Sequence, residues 1–490
     1  MKNYHYRNFT KSINRSIPDD QVISTLQAIN NDWRLDAKQE AAHYFCMIDE
    51  VEDIKLGKKY FIIGRKGMGK TAISEYLFAN QSPSVFSERL TFKNFPFNIL
   101  YDKKDETYTQ PNQYITIWKY LICNAICKLM AKNENLPSSL HGVLRKIYPT
   151  DSMEGLNRLI PKWTAKGFGL DLLNVGCSIE GDERPSTCDS WIEKLQILQS
   201  VIEQYADGAY YYILLDELDE DYREFGTEEE RRLYLSLITS LFKAVQSIKS
   251  DFRFLSANFR PVVFLRSDIY DLIRDSDKNK WSDYKIDLTW RPEKILKMLG
   301  HRISISSNRV FSPDESWDAI FSSNPVSMGN GGHNRMNSFD YITRSTHWRP
   351  RDYIQYVANC ARQSLQEGIA KISPTIIKQV DREFSEYLKG EIIDEVFAII
   401  PNIDDIFRIM SHIRKQTFSP RIFIDAYREY GRSEMEARDI LLKLFEYGVI
   451  GNSPSMKGQQ IFKHQHPNSL FNFRETIIIH RGLYKALQIF

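Results

Sequence analysis

Nowhere in its 490 residues does this chain hold the roughly 18 to 20 consecutive apolar residues that cross a bilayer. Its opening, "MKNYHYRNFTKSINRS", also lacks the apolar core of a signal peptide, so the expectation is a soluble cytoplasmic protein with no membrane partner. Net charge is nearly absent: 65 lysines and arginines against 63 aspartates and glutamates leave +2. No global field therefore draws the chain to nucleic acid, and any such contact needs a local patch. Cysteine is sparse. The six, Cys46, Cys123, Cys127, Cys177, Cys188 and Cys360, are scattered without zinc-ligand spacing and read as reduced core thiols. No internal repeat is visible, which excludes a solenoid. There is also no Ser/His/Asp set and no nuclease-like carboxylate cluster away from the glycine loop described below.

What is present is an ordinary globular composition, 42% hydrophobic and 26% charged, on a chain too long for one core, so a large mononucleotide-binding domain with smaller additions is expected. Four short apolar runs, "YFII" (60–63), "FNIL" (97–100), "YYYILL" (210–215) and "VVFL" (262–265), are continuous rather than alternating, as suits parallel strands covered on both faces. "KIDL" (285–288) reads as a last short strand. Between them "TIWKYLICNAICKLMAKN" puts Trp118, Leu121, Ile122, Ala125, Ile126, Leu129 and Met130 on one helical face, a core stripe. Alternating strands and helices predict an α/β fold with an open parallel sheet. The long gap before "YYYILL" predicts an insertion at about 136–187, with "GFGLDLLNVGCSIEG" as a hairpin. The pattern then turns helical over 291–388, interrupted by "MGNGGHNRMNS", read as a mobile loop. From 389 to 490, three helical segments followed by short strand-like runs outline a winged helix.

The chemistry starts at "FIIGRKGMGKTAI". Gly64, Gly69, Lys70 and Thr71 satisfy G-x-x-x-x-G-K-[ST] between a strand and a helix. Such a loop, Gly64, Arg65, Lys66, Gly67, Met68, Gly69, Lys70, Thr71 and Ala72, turns successive backbone N–H groups toward phosphate oxygens at the positive end of a helix. Lys70 would neutralise β and γ phosphates, and Thr71 would ligate Mg²⁺. "ILLDELDEDY" ends a strand in Asp216, a carboxylate for the Mg²⁺ side, and Glu217, a base for the attacking water. Asp219, Glu220 and Asp221 read as a solvated acidic loop. "VVFLRSDIYDLI" opens onto Arg266 and Ser267; either would stand beside the γ-phosphate, or Arg266 would pair with the acidic residues after Asp216. In "HWRPRDYIQYV", Pro350 suits a first helical turn, and Arg351 there is a cation at the wrong end of a dipole. It would meet a γ-phosphate, or pair with Asp352 on the surface.

These elements, in this order, resemble AAA+ ATPases of the origin-recognition and replication-initiator type and the related bacterial STAND ATPases, some of which serve in phage defence. The resemblance covers mainly 40–300 and more loosely 340–490. It implies ATP and Mg²⁺ as ligands and an AAA+-like P-loop ATPase domain over 1–290, a helical lid over 291–388 and a winged-helix domain over 389–490. It makes Gly64–Thr71 the Walker A loop and Asp216 with Glu217 Walker B, with Arg266/Ser267 at the sensor 1 position and Arg351 at sensor 2. The insertion and the lack of an evident arginine finger depart from that pattern; Arg274 stands roughly where a finger acting on a second copy would be. The expected function is a hydrolysing switch or remodeller acting on a protein partner or on further copies of itself. The alternative is an initiator-like ATPase holding duplex DNA. Against DNA stand Glu434, Glu436 and Asp439 near the start of the candidate recognition helix; for it stand Lys457, Lys463, His464, His466, Arg474, Arg481 and Lys485 in the wing and tail. A kinase-like P-loop enzyme fits less well, because an Asp-Glu pair orients water rather than an acceptor hydroxyl.

Overall fold

The apolar runs do become strands, with one exception and one addition. The computed structural model describes residues 18–40, 42–92, 98–104, 109, 112–148, 156–163, 191–219, 227–255, 258–328, 334–454 and 459–489. The expected hairpin at 167–181 lies outside them. A five-stranded sheet is built from β1 (Phe61–Ile63), β2 (Val85–Thr91), β3 (Tyr210–Asp216), β4 (Asn258–Leu265) and β5 (Lys285–Asp287), in the spatial order β2-β3-β4-β1-β5. Every pairing is parallel. This is the open sheet of an α/β P-loop NTPase fold.

The exception is "FNIL": Asn98–Tyr101 is a helical turn. The strand that sequence reading misses is β2, whose Glu88 and Arg89 break the apolar run. Both are neutralised by partners distant in sequence. Lys128 Nζ donates to Glu88 Oε1 at 2.7 Å, and Arg89 pairs with Glu75. The helix Ile115–Met130 that supplies Lys128 is buried around nearly its whole circumference rather than on one stripe. Its polar groups are satisfied internally: Trp118 Nε1 donates to the Leu237 carbonyl at 2.9 Å and Asn124 accepts from the Tyr148 hydroxyl at 2.8 Å. On the sheet, Phe61 of β1 stacks on Phe242 with ring centroids 4.3 Å apart, so the strand leading into the glycine loop is anchored in the core.

The described residues divide into two compact units, one within 47–289 and the other combining those of 18–46 with those of 290–489. The described residues before 47, expected within a 1–290 domain, thus group with the second unit. The apolar face of helix Asp19–Asp32 (Val22, Leu26, Ile29) packs on helices Pro350–Gln366 and Pro292–Ser306. Trp33 Nε1 donates to Ser306 Oγ at 3.1 Å, and Arg302 donates to Glu40 at 2.9 Å.

The second unit continues through helices Pro313–Ile320, Ser338–Thr343 and Pro374–Val396. Pro374–Val396 runs without interruption across the boundary expected at 388/389. The stretch read as a mobile loop, 328–338, is in part strand: β7 (Asn334–Met336) lies within it and pairs antiparallel with β6 (Val326–Met328). The C-terminal part has helices Ile403–Ile413, Pro420–Glu429 and Glu434–Glu446, and strands β8 (Thr417–Phe418), β9 (Ile450–Ser453) and β10 (Thr476–Ile479) in the antiparallel order β8-β10-β9. No helix among the described residues is long and apolar enough to cross a membrane.

A buried ionic group joins the two longest helices of this unit. Arg349, 1% exposed, precedes helix Pro350–Gln366 and reaches Asp352 at 3.2 Å and Glu395 of helix Pro374–Val396 at 3.2 Å. Removing one partner of such a group strands the others in low dielectric. Arg349→Ala is therefore expected to cost about 3–5 kcal/mol and to lower the thermal midpoint by on the order of 10 °C, as read by differential scanning calorimetry.

Candidate functional site

Three adjacent strands, β3, β4 and β1, end side by side, and each releases its chemistry at its carboxyl end: Asp216 from β3, Arg266 after β4 and Gly64 after β1. The carboxyl edge of an open parallel sheet is where this architecture takes its ligands. Gly64 donates its N–H to the Leu265 carbonyl at 3.2 Å. A Cβ at Gly64 would sit 3.2 Å from Leu288 Cβ, so a larger residue fits only if Leu288, just past β5, gives way. Gly69 caps the helix Lys70–Ala79 at φ +94°, a backbone state that a β-carbon disfavours.

No side chain caps that helix, so its first-turn amides are available to an anion. Lys70 Nζ donates to the carbonyls of Gly64 at 2.7 Å and Arg65 at 3.1 Å. Burial lowers its pKa, while Asp219 and Asp216 act the other way. Among the other loop residues Met68 is buried, and Arg65, Lys66, Gly67, Thr71 and Ala72 are partly exposed.

Asp216 is 3% exposed. Its Oδ1 accepts the Glu217 N–H at 2.9 Å, whereas its Oδ2 is buried with no hydrogen-bond partner. Burial pushes its pKa up to about 6, the Glu217 amide and Lys70 pulling the other way. A desolvated carboxylate with an orphaned oxygen, beside a phosphate-type loop that carries a hydroxyl at Thr71, is a hard-oxygen donor set that fits Mg²⁺. Because its folded pKa lies above its unfolded value, Asp216 destabilises the ligand-free protein once ionised. The penalty grows as pH rises from about 4 to about 6 and is complete above that, at about 3 kcal/mol. Without Mg²⁺, Asp216→Asn should therefore melt higher than the wild type at pH 7.5, with the difference vanishing near pH 4 in thermal scans.

Glu217 sits at φ +59°, a left-handed conformation costing a non-glycine residue on the order of 1–3 kcal/mol. Its carboxylate accepts a hydrogen bond from the Thr91 hydroxyl. Thr91 closes β2 directly opposite Asp216 in the register. Sequence reading did not find Thr91, because it did not find β2.

Arg266 is 3% exposed. It holds Asp268 through two contacts, Nε to Oδ1 at 3.0 Å and Nη2 to Oδ2 at 2.6 Å, and lies 3.7 Å from Asp219. Its tight partner is thus Asp268 rather than the acidic residues after Asp216, of which Asp219 lies at the edge of ion-pair range. Ser267 starts the helix Ser267–Leu272. Arg351 lies in the other unit and pairs with Glu391 at 3.2 Å. The surface pair with Asp352 considered for it does not form: Asp352 is buried and belongs to Arg349.

The wing residues expected to be basic contacts are partly committed inside the protein. Lys463 pairs with Glu446 at 3.1 Å, Arg481 donates to the Tyr341 hydroxyl at 3.1 Å, and His464 packs among other rings. Lys457 lies outside the described residues. Glu436 is spent on a capping box with Ser433, and Glu434 pairs with Arg428 and Arg438.

Residues 293–392 match the family described as a FunZ-associated C-terminal helical domain. No curated protein matches the chain. Among solved structures it is similar to Cdc6p of Pyrobaculum aerophilum (13% identity, 89% of this chain and 91% of that one, TM-score 0.28). It is similar also to an ORC2 protein of Aeropyrum pernix in ADPNP and ADP complexes (12% identity, 90% and 89%, TM-score 0.39). A third likeness is to a Walker-type ATPase of Pyrococcus abyssi (11% identity, 90% and 94%, TM-score 0.37).

Proposed function

We propose that the chain binds Mg·ATP at the carboxyl edge of its parallel sheet and hydrolyses it, working as a switch whose second unit acts on a partner protein. The observation that carries this reading is the buried, half-satisfied Asp216 carboxylate next to Lys70 and followed by Glu217. On binding, Lys70 exchanges the Gly64 and Arg65 carbonyls for β and γ phosphate oxygens. Thr71 and Asp216 would hold Mg²⁺, which would supply charge neutralisation. Glu217 takes a proton from the water whose oxygen bonds to the γ-phosphorus as the bond to the β-phosphate oxygen breaks. Arg266, one strand away and fixed by Asp268, would stabilise γ-phosphate charge.

The C-terminal part, read as a winged helix, supports a protein partner better than duplex DNA. Its candidate recognition helix opens with acids held in caps and ion pairs, and it exposes Met435 at 83%. Within the following segment, Leu470 is 81% exposed. Self-assembly through the exposed Arg274, and service in phage defence, belong to the same reading. Duplex DNA keeps Arg474 and Lys485, both exposed, as contacts. Phosphate release from ATP, measured with Mg²⁺ or EDTA and with or without duplex DNA at moderate salt, tests these readings together. Mg²⁺-dependent turnover indifferent to DNA is expected. Salt-sensitive stimulation by DNA would favour the initiator-like alternative, and no turnover in any condition would defeat the catalytic role of Glu217.

A further inference from the structure

Three histidines far apart in sequence meet in the second unit. His347 lies just ahead of helix Pro350–Gln366, His464 lies between β9 and β10, and His480 follows β10. Their rings are 4.4 to 5.3 Å apart, centroid to centroid. One ring nitrogen from each falls within 4.8 Å of the others, and no other group of three metal-ligating side chains this close occurs among the described residues. His347 and His480 are buried, and His464 is partly exposed.

We propose that His347, His464 and His480 bind a borderline divalent transition metal, of which Zn²⁺ is the type, and that this ion clasps the C-terminal strands to the loop before helix Pro350–Gln366. Imidazole is the ligand such ions prefer, and three imidazoles leave one position for water. Around an ion with Zn–N bonds of about 2 Å the nitrogens would draw to about 3.3 Å of one another, a small movement for rings already in contact.

The surroundings set the ligands up. The Nε2–H of His347 donates to the Gly448 carbonyl at 3.1 Å, which puts the lone pair on Nδ1; a backbone carbonyl on the second nitrogen is the usual orienting partner of a metal-bound histidine. The lone pair of His480 Nδ1 accepts the Gly482 amide at 3.2 Å, a bond that an ion would have to displace. Gly448 takes φ +71°, and a Cβ there would lie 3.2 Å from His464 Nδ1, so the backbone turn is cut to fit the rings. Two cations, Arg349 and Arg481, bear on His480, and the first is paired with the buried carboxylates of Asp352 and Glu395. The backbone N–H of His347 is held by Asp352 Oδ2 at 2.9 Å, which fixes the loop that carries this ring.

The test uses the full chain without a polyhistidine tag, stripped with EDTA, reloaded with Zn²⁺ or Co²⁺ and desalted. About one equivalent of Zn²⁺ by mass spectrometry, and a strong tetrahedral Co²⁺ absorption, are expected. His464→Ala should weaken binding by on the order of 100-fold, His466→Ala should not, and His464→Cys should restore binding with a thiolate-to-cobalt charge-transfer band. A second measurement needs no variant: EDTA should lower the melting midpoint of the wild type, and Zn²⁺ but not Mg²⁺ should restore it. Equal metal uptake by wild type and His464→Ala, or a midpoint indifferent to EDTA and Zn²⁺, would overturn the site.

Discussion

Replacing Glu217 by glutamine is expected to leave ATP affinity unchanged while lowering turnover by roughly 10²–10⁴-fold, the range supplied by a positioned general base. Glutamine keeps the shape and an oxygen for the Thr91 hydroxyl, so the β2–β3 register and the left-handed backbone at Glu217 survive. What is lost is the ability to accept a proton from water. Phosphate-release kinetics beside titration calorimetry separate the two quantities. If turnover falls no more than binding does, Glu217 is not the base. Thr91→Val is the informative neighbour: it removes the hydroxyl but not the base, so it should change turnover far less than the glutamine does.

The second large effect is at Lys70. Lys70→Ala should weaken ATP binding by on the order of 100-fold, since a hydrogen bond to a charged group is worth about 1.5–3 kcal/mol and this ammonium is positioned to make more than one. The damage extends to the metal side. Lys70 is one of the groups that hold the Asp216 pKa down, so its loss raises that pKa further and favours the protonated acid, which cannot serve Mg²⁺. Affinity in the variant should therefore also fall more steeply than in the wild type as pH drops from 8 to 6, which fluorescent-nucleotide titration would reveal. An alanine variant with wild-type affinity would remove the phosphate role from the loop.

What could be read from sequence was what is local. The glycine loop carries its own conformational demands and leads into the expected helix, and the apolar run ending at Asp216 is the buried strand it predicts. β2 was not legible, because Glu88 and Arg89 look like surface residues until Lys128 and Glu75 arrive from other elements; Thr91 was lost with it. "FNIL" was misread as a strand because four apolar-rich residues suit a buried helical turn equally well. Helix Asp19–Asp32 was placed in the wrong unit because its apolar face matches helices some 270 to 330 residues onward, a partnership no periodicity announces. Arg351 was singled out from its position at a helix start, yet the buried ionic group belongs to Arg349, two residues earlier. His464 looked like a wing cation and instead joins two histidines from distant segments.

The central claim is that Asp216 and the Lys70 loop together hold Mg·ATP. The most direct measurement is the ATP affinity of wild type and Asp216→Asn by titration calorimetry, each with Mg²⁺ and with EDTA, at pH 7.5. The account predicts that Mg²⁺ strengthens ATP binding to the wild type and that this gain disappears in Asp216→Asn, while EDTA-state binding, which depends on Lys70, is retained. An equal Mg²⁺ gain in both proteins would contradict it.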